Sequence, residues 1–511
     1  LSTKRTVLVL IINRCIQNME SDMKSEEENP TQRSQKRFNI KWRYVFVVFG
    51  FLGMLNDYAL RVNLNVAIVE MIKPTSNSAT SGADTSKGEF EWTNEAMIKG
   101  SFYWGYIVTQ IPGGVLAKKY GPKWVFGIGM LVTIIMTFLS PLLSRISSMG
   151  LVAARVIEGL GEGVTIPAMQ AMISNWAPVY ERTKMTTLIM AGNSMGIVVG
   201  LPLSGWLTQT FGWEWAFYGP GIVSLIWFIG WCFLVYNSPK SHPYISEEEK
   251  DYILANVEEP GETPHIPWRK VLTSVPVMVI IVTYFLDNWG WYTLMTELPS
   301  YIDDVLGYDL QNNSLVSSLP YISFIIFNSI AGYLTDLAKR KKWASNTVIR
   351  KVANTIALTF PAIALLGVAF GGTNSTLVLS CFVLSGFFNG AKYSGYWSTL
   401  TDLAPNYAGA LFGIGNMIAT IPGFLSPIYT KALTPGEGLE NTSGWKVVFI
   451  TASVWYLTAS AIFLVFATGA TQEWNFISQS EKASQKSEVQ NTISDTSKEG
   501  TSNPAFDNTH I

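Results

Sequence analysis

Polar and apolar positions alternate along this chain in long blocks. Twelve mostly apolar stretches of about 20 residues or more stand out at 43–72, 96–117, 124–143, 149–174, 184–209, 216–236, 275–300, 313–336, 348–370, 376–401, 408–431 and 446–469. As helices rising about 1.5 Å per residue, they are long enough to cross roughly 30 Å of hydrocarbon. A polar segment, 237–270, with Glu247, Glu248, Glu249, Lys250 and several prolines, divides the spans six and six. The predicted fold class is an all-α membrane protein with twelve transmembrane helices in two six-helix halves. The expected domains are an N-terminal tail 1–42, a first half 43–236, a central loop 237–274, a second half 275–470 and a tail 471–511. That last tail is rich in Ser, Lys, Glu, Gln and Asn and is expected to be disordered. The apolar patch 7–12 is too short for a span or a signal-peptide core. Met19 and Met23 are alternative starts that would leave 1–18 upstream of the protein.

Composition supports this pattern. Only 14% of the 511 residues are charged, against about 25% in soluble proteins, and mean hydropathy is +0.23. A net charge of −1 gives no reason to expect a nucleic-acid partner. Cys15, Cys232 and Cys381 have neither metal-ligand nor redox spacing, and no metal or other cofactor is expected. No nucleophile–base set is visible, so an enzyme is not expected. His242, His265 and His510 all lie in predicted loops or tail, which excludes histidine-based coupling.

Basic residues set the expected orientation. Lys118, Lys119 and Lys123 follow span two, and Lys339, Arg340, Lys341, Lys342, Arg350 and Lys351 follow span eight. The loop after span seven is acidic, with Asp303, Asp304 and Asp309. Both termini and the central loop are therefore expected to be cytoplasmic. The sequons at Asn312, Asn374 and Asn441, candidates for glycosylation, fall on the opposite side, in agreement.

The halves echo each other. Gly114 is followed by Lys118, Lys119 and Lys123, as Gly332 is followed by Asp336, Lys339, Arg340 and Lys341. Gly196 precedes Pro202 as Asn416 precedes Pro422. Parallel six-span repeats with a substrate site between them near the midplane are the plan of major facilitator transporters, which this arrangement resembles.

A charge at the bilayer centre costs about 2.5–3.5 kcal/mol on insertion scales, so it needs a partner, a wet cavity or a proton. The candidates are Asp57, Arg61 and Glu70 in span one, Lys99 in span two, Arg155, Glu158 and Glu162 in span four, Asp287 and Glu297 in span seven, and Lys392 in span ten. Spans one, four, seven and ten line the central cavity in the plan just named. In span four, spacings of three and four put Arg155, Glu158 and Glu162 on one helical face. Two carboxylates there cannot both ionise cheaply. Glu162, between Gly161 and Gly163, is the expected proton carrier, with Arg155 holding Glu158 ionised; the alternative is a static ion-pair network. Arg61 either neutralises Asp57 or receives an anionic substrate through its planar fork, with Asn63 and Asn65 adding polar groups. Lys99 is a second anion contact or a side chain reaching for an interface. Lys392 and the neighbouring Tyr393 are candidate substrate contacts, and Gly192, Gly196 and Gly200 a packing face.

The stretches RVNLNVA (61–67), GYIVTQIPGG (105–114), GLGEGVTIPA (159–168), WAPVYER (176–182) and LPLSGW (201–206) resemble the anion:cation symporter family. That family includes type I sodium/phosphate cotransporters, sialin and the vesicular glutamate transporters. The resemblance runs from about 42 to 470 and implies anion recognition by Arg61 and proton coupling at Glu162, with Arg155 matching the fourth-span arginine. Departures are Lys99 and Asp287, where the glutamate transporters have histidine and arginine, Gln170 in place of a sialin-like histidine, and Lys392 in a normally less charged run. The chain therefore resembles the sialin and phosphate-cotransporter side of the family.

The expected function is proton- or sodium-coupled symport of a small organic or inorganic anion by alternating access. Anion exchange, potential-driven uniport and a non-transporting anion sensor are the alternatives. The partners expected are a small anionic solute, co-transported H+ or Na+ and the lipid bilayer, in the plasma membrane or a lysosomal or vesicular membrane. Neither the particular anion nor the oligomeric state follows from the sequence.

Overall fold

The computed structural model describes residues 41–72, 89–257, 267–435 and 442–476. The chain divides into a short unit, 1–44, and a main unit, 45–511, and the contacts below lie within the main unit.

Each predicted apolar stretch is helical. Span one is α1 (Trp42–Met71), span two α2 (Glu95–Tyr120) and span three α3 (Pro122–Ile146). Span four is broken into α4 (Ser148–Glu162) and α5 (Thr165–Trp176). Spans five and six are α6 (Val179–Phe211) and α7 (Trp215–Leu234). The central loop carries two short helices, α8 (Glu247–Asn256) and α9 (Trp268–Leu272). Spans seven to nine are α10 (Val275–Tyr301), α11 (Leu310–Arg340) and α12 (Asn346–Gly371). Span ten is broken into α13 (Ser375–Asn389) and α14 (Tyr396–Leu403), with a 3-10 turn at Gly390–Tyr393. Span eleven is the pair α15 (Ala408–Thr420) and α16 (Pro422–Leu433), and span twelve is α17 (Thr442–Phe466).

Among the described residues, eight of these segments are long and apolar enough to cross a membrane: α1, α3, α6, α7, α11, α12, the α15–α16 pair and α17. The four others are the two broken spans and α2 and α10, which carry Lys99, Asp287 and Glu297. Both broken spans occupy the same place in their halves, so the repeat seen in sequence extends to backbone geometry.

Polar caps mark helix starts. The side chains of Ser147, Asp309, Ser345 and Asn374 accept from the backbone N–H groups of Gly150, Asn312, Val348 and Leu377, satisfying donors that the first turn leaves free. Asn312 and Asn374, two sequon residues, thus sit at exposed helix starts. Asn441 lies outside the described residues.

Outward faces are apolar, with Val108, Ile226, Phe233 and Ile363 all exposed, whereas most of the candidate charges are buried. That distribution suits a lipid surround. The Gly192, Gly196 and Gly200 face packs on α1: a Cβ at Gly196 would lie 2.8 Å from Tyr58 Cβ, and one at Gly200 would lie 2.9 Å from Ala59 Cα.

The halves meet along α2, α10 and α16 towards the end opposite the central loop, here called the distal end. Gly100 lets α2 approach the backbone of Phe424 on α16, and Tyr103 meets Tyr292 edge-on at 4.8 Å. Asn65 Nδ2 donates to Met295 O at 2.8 Å, and Gln110 Nε2 to Thr420 Oγ1 at 3.2 Å.

The expectation of an unstructured tail from 471 is corrected for its first six residues. Thr471 Oγ1 donates to Asp402 O at 3.1 Å and Gln472 N–H to Leu403 O at 2.8 Å. Trp474 is buried against Tyr407 at 5.9 Å, because its ring finds apolar cover there. The rest of that tail, 477–511, lies outside the described residues, as do 1–40.

Candidate functional site

In the first half, α1 and α4 bring Arg61 to Glu162. Arg61 Nε and Nη2 both donate to Glu162 Oε2, at 3.0 and 2.8 Å, while its nearest approach to Asp57 is 3.6 Å. The guanidinium lies over the rings of Tyr58, Phe102 and Tyr106 at 4.3, 4.8 and 4.7 Å. Such a cage favours a cation with its plane held fixed. Glu162 Oε1 has no hydrogen-bond partner, and both carboxylates are buried. Glu162 is the last residue of α4, and the broken turn beyond it is tied by Thr165 Oγ1 donating to Glu162 O at 2.7 Å.

One turn away, Arg155 Nη1 donates to Glu158 Oε2 at 2.6 Å and Nη2 to Arg61 O at 3.0 Å. Thr137 and Ser140 of α3 donate to Glu158 Oε1, both at 3.4 Å. The expected pairing of Arg155 with Glu158 is therefore present. Glu162 leaves that network and turns to α1. Three carboxylates (Asp57, Glu158, Glu162) thus share two guanidiniums (Arg61, Arg155).

In the second half, Asp287 of α10 is the focus. Lys392 Nζ and Tyr396 OH donate to its Oδ2 at 3.1 and 2.8 Å, and Asn389 Nδ2 to its Oδ1 at 2.8 Å. Lys392, expected to meet substrate, is held by an acid of another helix and lies over Trp291 at 4.0 Å. Tyr393 is half-buried and packs edge-on against Phe324 and Trp397.

Lys99 is likewise engaged. Its Nζ donates to Glu297 Oε2 at 3.0 Å and Ser300 Oγ at 2.9 Å, both on α10, and pairs with Glu95 at 2.7 Å. Glu95 reaches Lys431 of α16 at 3.6 Å. These residues, with Asp304 and Thr430, line a small distal cavity of about 30 Å³ between the halves. In the loop after α10, burial raises Asp304 to about 7, assisted by the negative charges of Asp303 and Glu95 and opposed by Lys99 and Lys431. Among the described residues, no group of His, Cys, Asp and Glu is arranged to hold a metal ion.

Asn63 is fully buried and neither side-chain atom has a partner. Of the sequence candidates, the structure joins Arg61 to Glu162 and Arg155 to Glu158, and sets Lys99 and Lys392 in separate pairs. Sequence reasoning missed the aromatic cage and the roles of Glu95, Asn389, Tyr396 and Lys431. The one available signal was the aromatic content of the 102–106 run.

Comparison with known proteins agrees with this architecture. The Major Facilitator Superfamily model matches residues 51–427. Human sialin is 37% identical over 454 residues, covering 84% of this chain and 90% of that protein. Vesicular glutamate transporter 3 of Danio rerio is 36% identical over 445 residues, covering 86% and 75%. Among solved structures, a bacterial homologue of the human lysosomal transporter Spinster, inward-facing and unoccupied, superposes with a TM-score of 0.65 at 13% identity, covering 84% of this chain and 99% of that one. This chain belongs to the major facilitator superfamily, and within it to the anion:cation symporter family that holds sialin and the vesicular glutamate transporters.

Proposed function

We propose that this chain is a proton-coupled symporter of a small organic anion, with Arg61 as the anion anchor and Glu162 as the proton carrier. The observation that carries this reading is the pair of hydrogen bonds from Arg61 to one oxygen of Glu162. An ionised Glu162 competes with a substrate anion for the same guanidinium. A proton on Glu162 removes the competitor, so proton and anion bind together. Binding an anion adds a negative charge to a cluster that already has one carboxylate too many, so at least one proton accompanies each anion. Arg155 and Glu158 brace Arg61 through its carbonyl oxygen. The reading takes a transporter, not an enzyme, as its class.

Alternating access follows from the interface between the halves. With Lys99 bound to Glu297 and Glu95 to Lys431, the distal end is closed. Opening it requires those pairs to part while the central-loop end closes. The basic loops favour a cytoplasmic central loop and cytoplasmic termini, with Asn312, Asn374 and Asn441 on the glycosylatable side. The membrane is the plasma membrane or that of a lysosome or vesicle.

The test is uptake of labelled sialic acid, glutamate, urate and phosphate into liposomes under an imposed pH gradient and, separately, a sodium gradient. The expected result is pH-driven accumulation of an organic anion that is lost in Arg61→Ala. Accumulation driven by sodium alone, or an Arg61→Ala variant as active as the parent, would overturn the reading.

A further inference from the structure

We infer that Asn65 is the inner latch of the distal gate: its amide caps a carbonyl that a proline leaves unpaired on α10, and the distal end opens by breaking that bond. The inference rests on the alternating-access part of the reading above. It makes Asn65 a positioning residue that ties the helix of the anion anchor to the opposing half.

The bond begins with Pro299, which lies inside α10 and has no N–H to give the carbonyl four residues before it. That carbonyl belongs to Met295. Met295 and Asn65 are both buried, at 2% and 3% exposure. A carbonyl in such surroundings needs a donor from elsewhere, and proline is tolerated in membrane helices where a neighbouring helix supplies one. Here the donor is Asn65 Nδ2 of α1, at 2.8 Å. The Pro299 carbonyl is capped in the same way by Asn313 Nδ2 at 2.7 Å, from α11 of the same half. The two amides serve one helix, but Asn65 reaches it from the other half.

Position makes this bond part of the gate. Asn65 stands one turn beyond Arg61 on α1, about 6 Å further towards the distal end. Met295 lies on α10 between Tyr292, which meets Tyr103 edge-on, and Glu297, which holds Lys99. The distal closure therefore has two layers. The outer layer is ionic, with Lys99 on Glu297 and Lys431 on Glu95. The inner layer is the Asn65 bond beside the Tyr103–Tyr292 pair, in an apolar cluster that includes Val62, Val66 and Met295. The Lys431 side chain is 42% exposed, so the outer layer can exchange a partner for water. The inner layer cannot until the halves part. Without Asn65, the closed state holds an unpaired carbonyl, whereas the open state wets it. Removing the amide therefore shifts the balance towards distal opening.

The test uses Thr434→Cys, a position in the distal cavity, labelled by an impermeant thiol reagent added on the distal side without substrate or gradient. Asn65→Ala should raise the labelling rate on the order of tenfold. Asn65→Ser, whose shorter side chain does not span the gap, replaces it if the alanine variant fails to fold. Pro299→Ala restores an N–H for Met295 O within α10. In that background Asn65→Ala should change labelling by less than about twofold, the signature of a shared partner. Asn313→Ala removes the like bond inside one half and should leave labelling near the parent's rate. An Asn65 variant labelled at the parent's rate overturns the inference. So does an equal rise with and without Pro299, or an Asn313→Ala variant labelled as fast as Asn65→Ala. Because labelling needs no transport, failure of pH-driven uptake would strike the symporter reading and leave the latch standing.

Discussion

Replacing Glu162 by Gln should tighten anion binding while abolishing proton-driven accumulation. Arg61 makes two charge-assisted hydrogen bonds to Glu162, each side chain 1–2% exposed. Hydrogen bonds to a charged partner contribute about 1.5–3 kcal/mol each, and neutral ones about 0.5–1.5 kcal/mol. The amide therefore weakens the grip on Arg61 by roughly 2–3 kcal/mol for two bonds. Asp57, 3.6 Å from the guanidinium, can move in and recover part of that. What remains corresponds to about a 10- to 100-fold gain in anion affinity, at 1.4 kcal/mol per tenfold. In the parent, affinity should rise as pH falls, because a proton on Glu162 releases Arg61. In Glu162→Gln, affinity should stay high and flat with pH. The assay is equilibrium binding of the labelled anion across pH, beside counterflow and pH-gradient uptake in liposomes. Counterflow should survive in the variant, and gradient-driven uptake should not. A variant with the parent's pH slope, or one that still accumulates anion against a gradient, would refute the argument.

Three further outcomes are expected. Lys99→Met leaves Glu297 and Glu95 facing each other without their shared cation, which disfavours the closed distal end by about 3–5 kcal/mol; a thiol placed at Thr434 should then react with an impermeant reagent added on the distal side. The same reagent tests pH. Asp304 rises from 3.8 to about 7 in the closed state; proton binding there favours closure at low pH, and that support is lost as pH rises through about 7. Labelling should increase over that interval, and Asp304→Asn should remove the dependence. Gly159→Ala would drive a methyl group into the Phe102 carbonyl and within 2.8 Å of Tyr106 N, where α4 crosses α2; a loss of at least about 1–3 kcal/mol, read as a lower midpoint of thermal unfolding, is expected.

The spans were legible because hydrocarbon thickness fixes their length, and every apolar block became helix. The charges were legible for the complementary reason that an ionisable group in an apolar run is costly enough to stand out. Local partners could also be read: Arg155 and Glu158 are three residues apart and do pair. Distant partners could not. Arg61 and Glu162 are separated by 101 positions, Lys392 and Asp287 by 105, and Lys99 and Glu297 by 198. Helical periodicity carries no information about which faces meet across such intervals. Lys99 and Lys392 accordingly looked like cations in search of an anion, when each already had an acid on α10. The breaks in spans four and ten were also hidden, because glycine-rich apolar sequence suits a continuous helix as well as an interrupted one.

Those breaks have a mechanical consequence. Glu162 stands at the end of α4 and Lys392 in the turn after α13, so each charge lies at the joint of its span. Beyond the joints, α5 and α14 are short arms whose first residues reach back to the site, Thr165 to the Glu162 carbonyl and Tyr396 to Asp287. A shift of the central-loop end along either arm therefore acts on the charged site through a single hydrogen bond at the joint, so the gate and the binding groups are linked at two defined points.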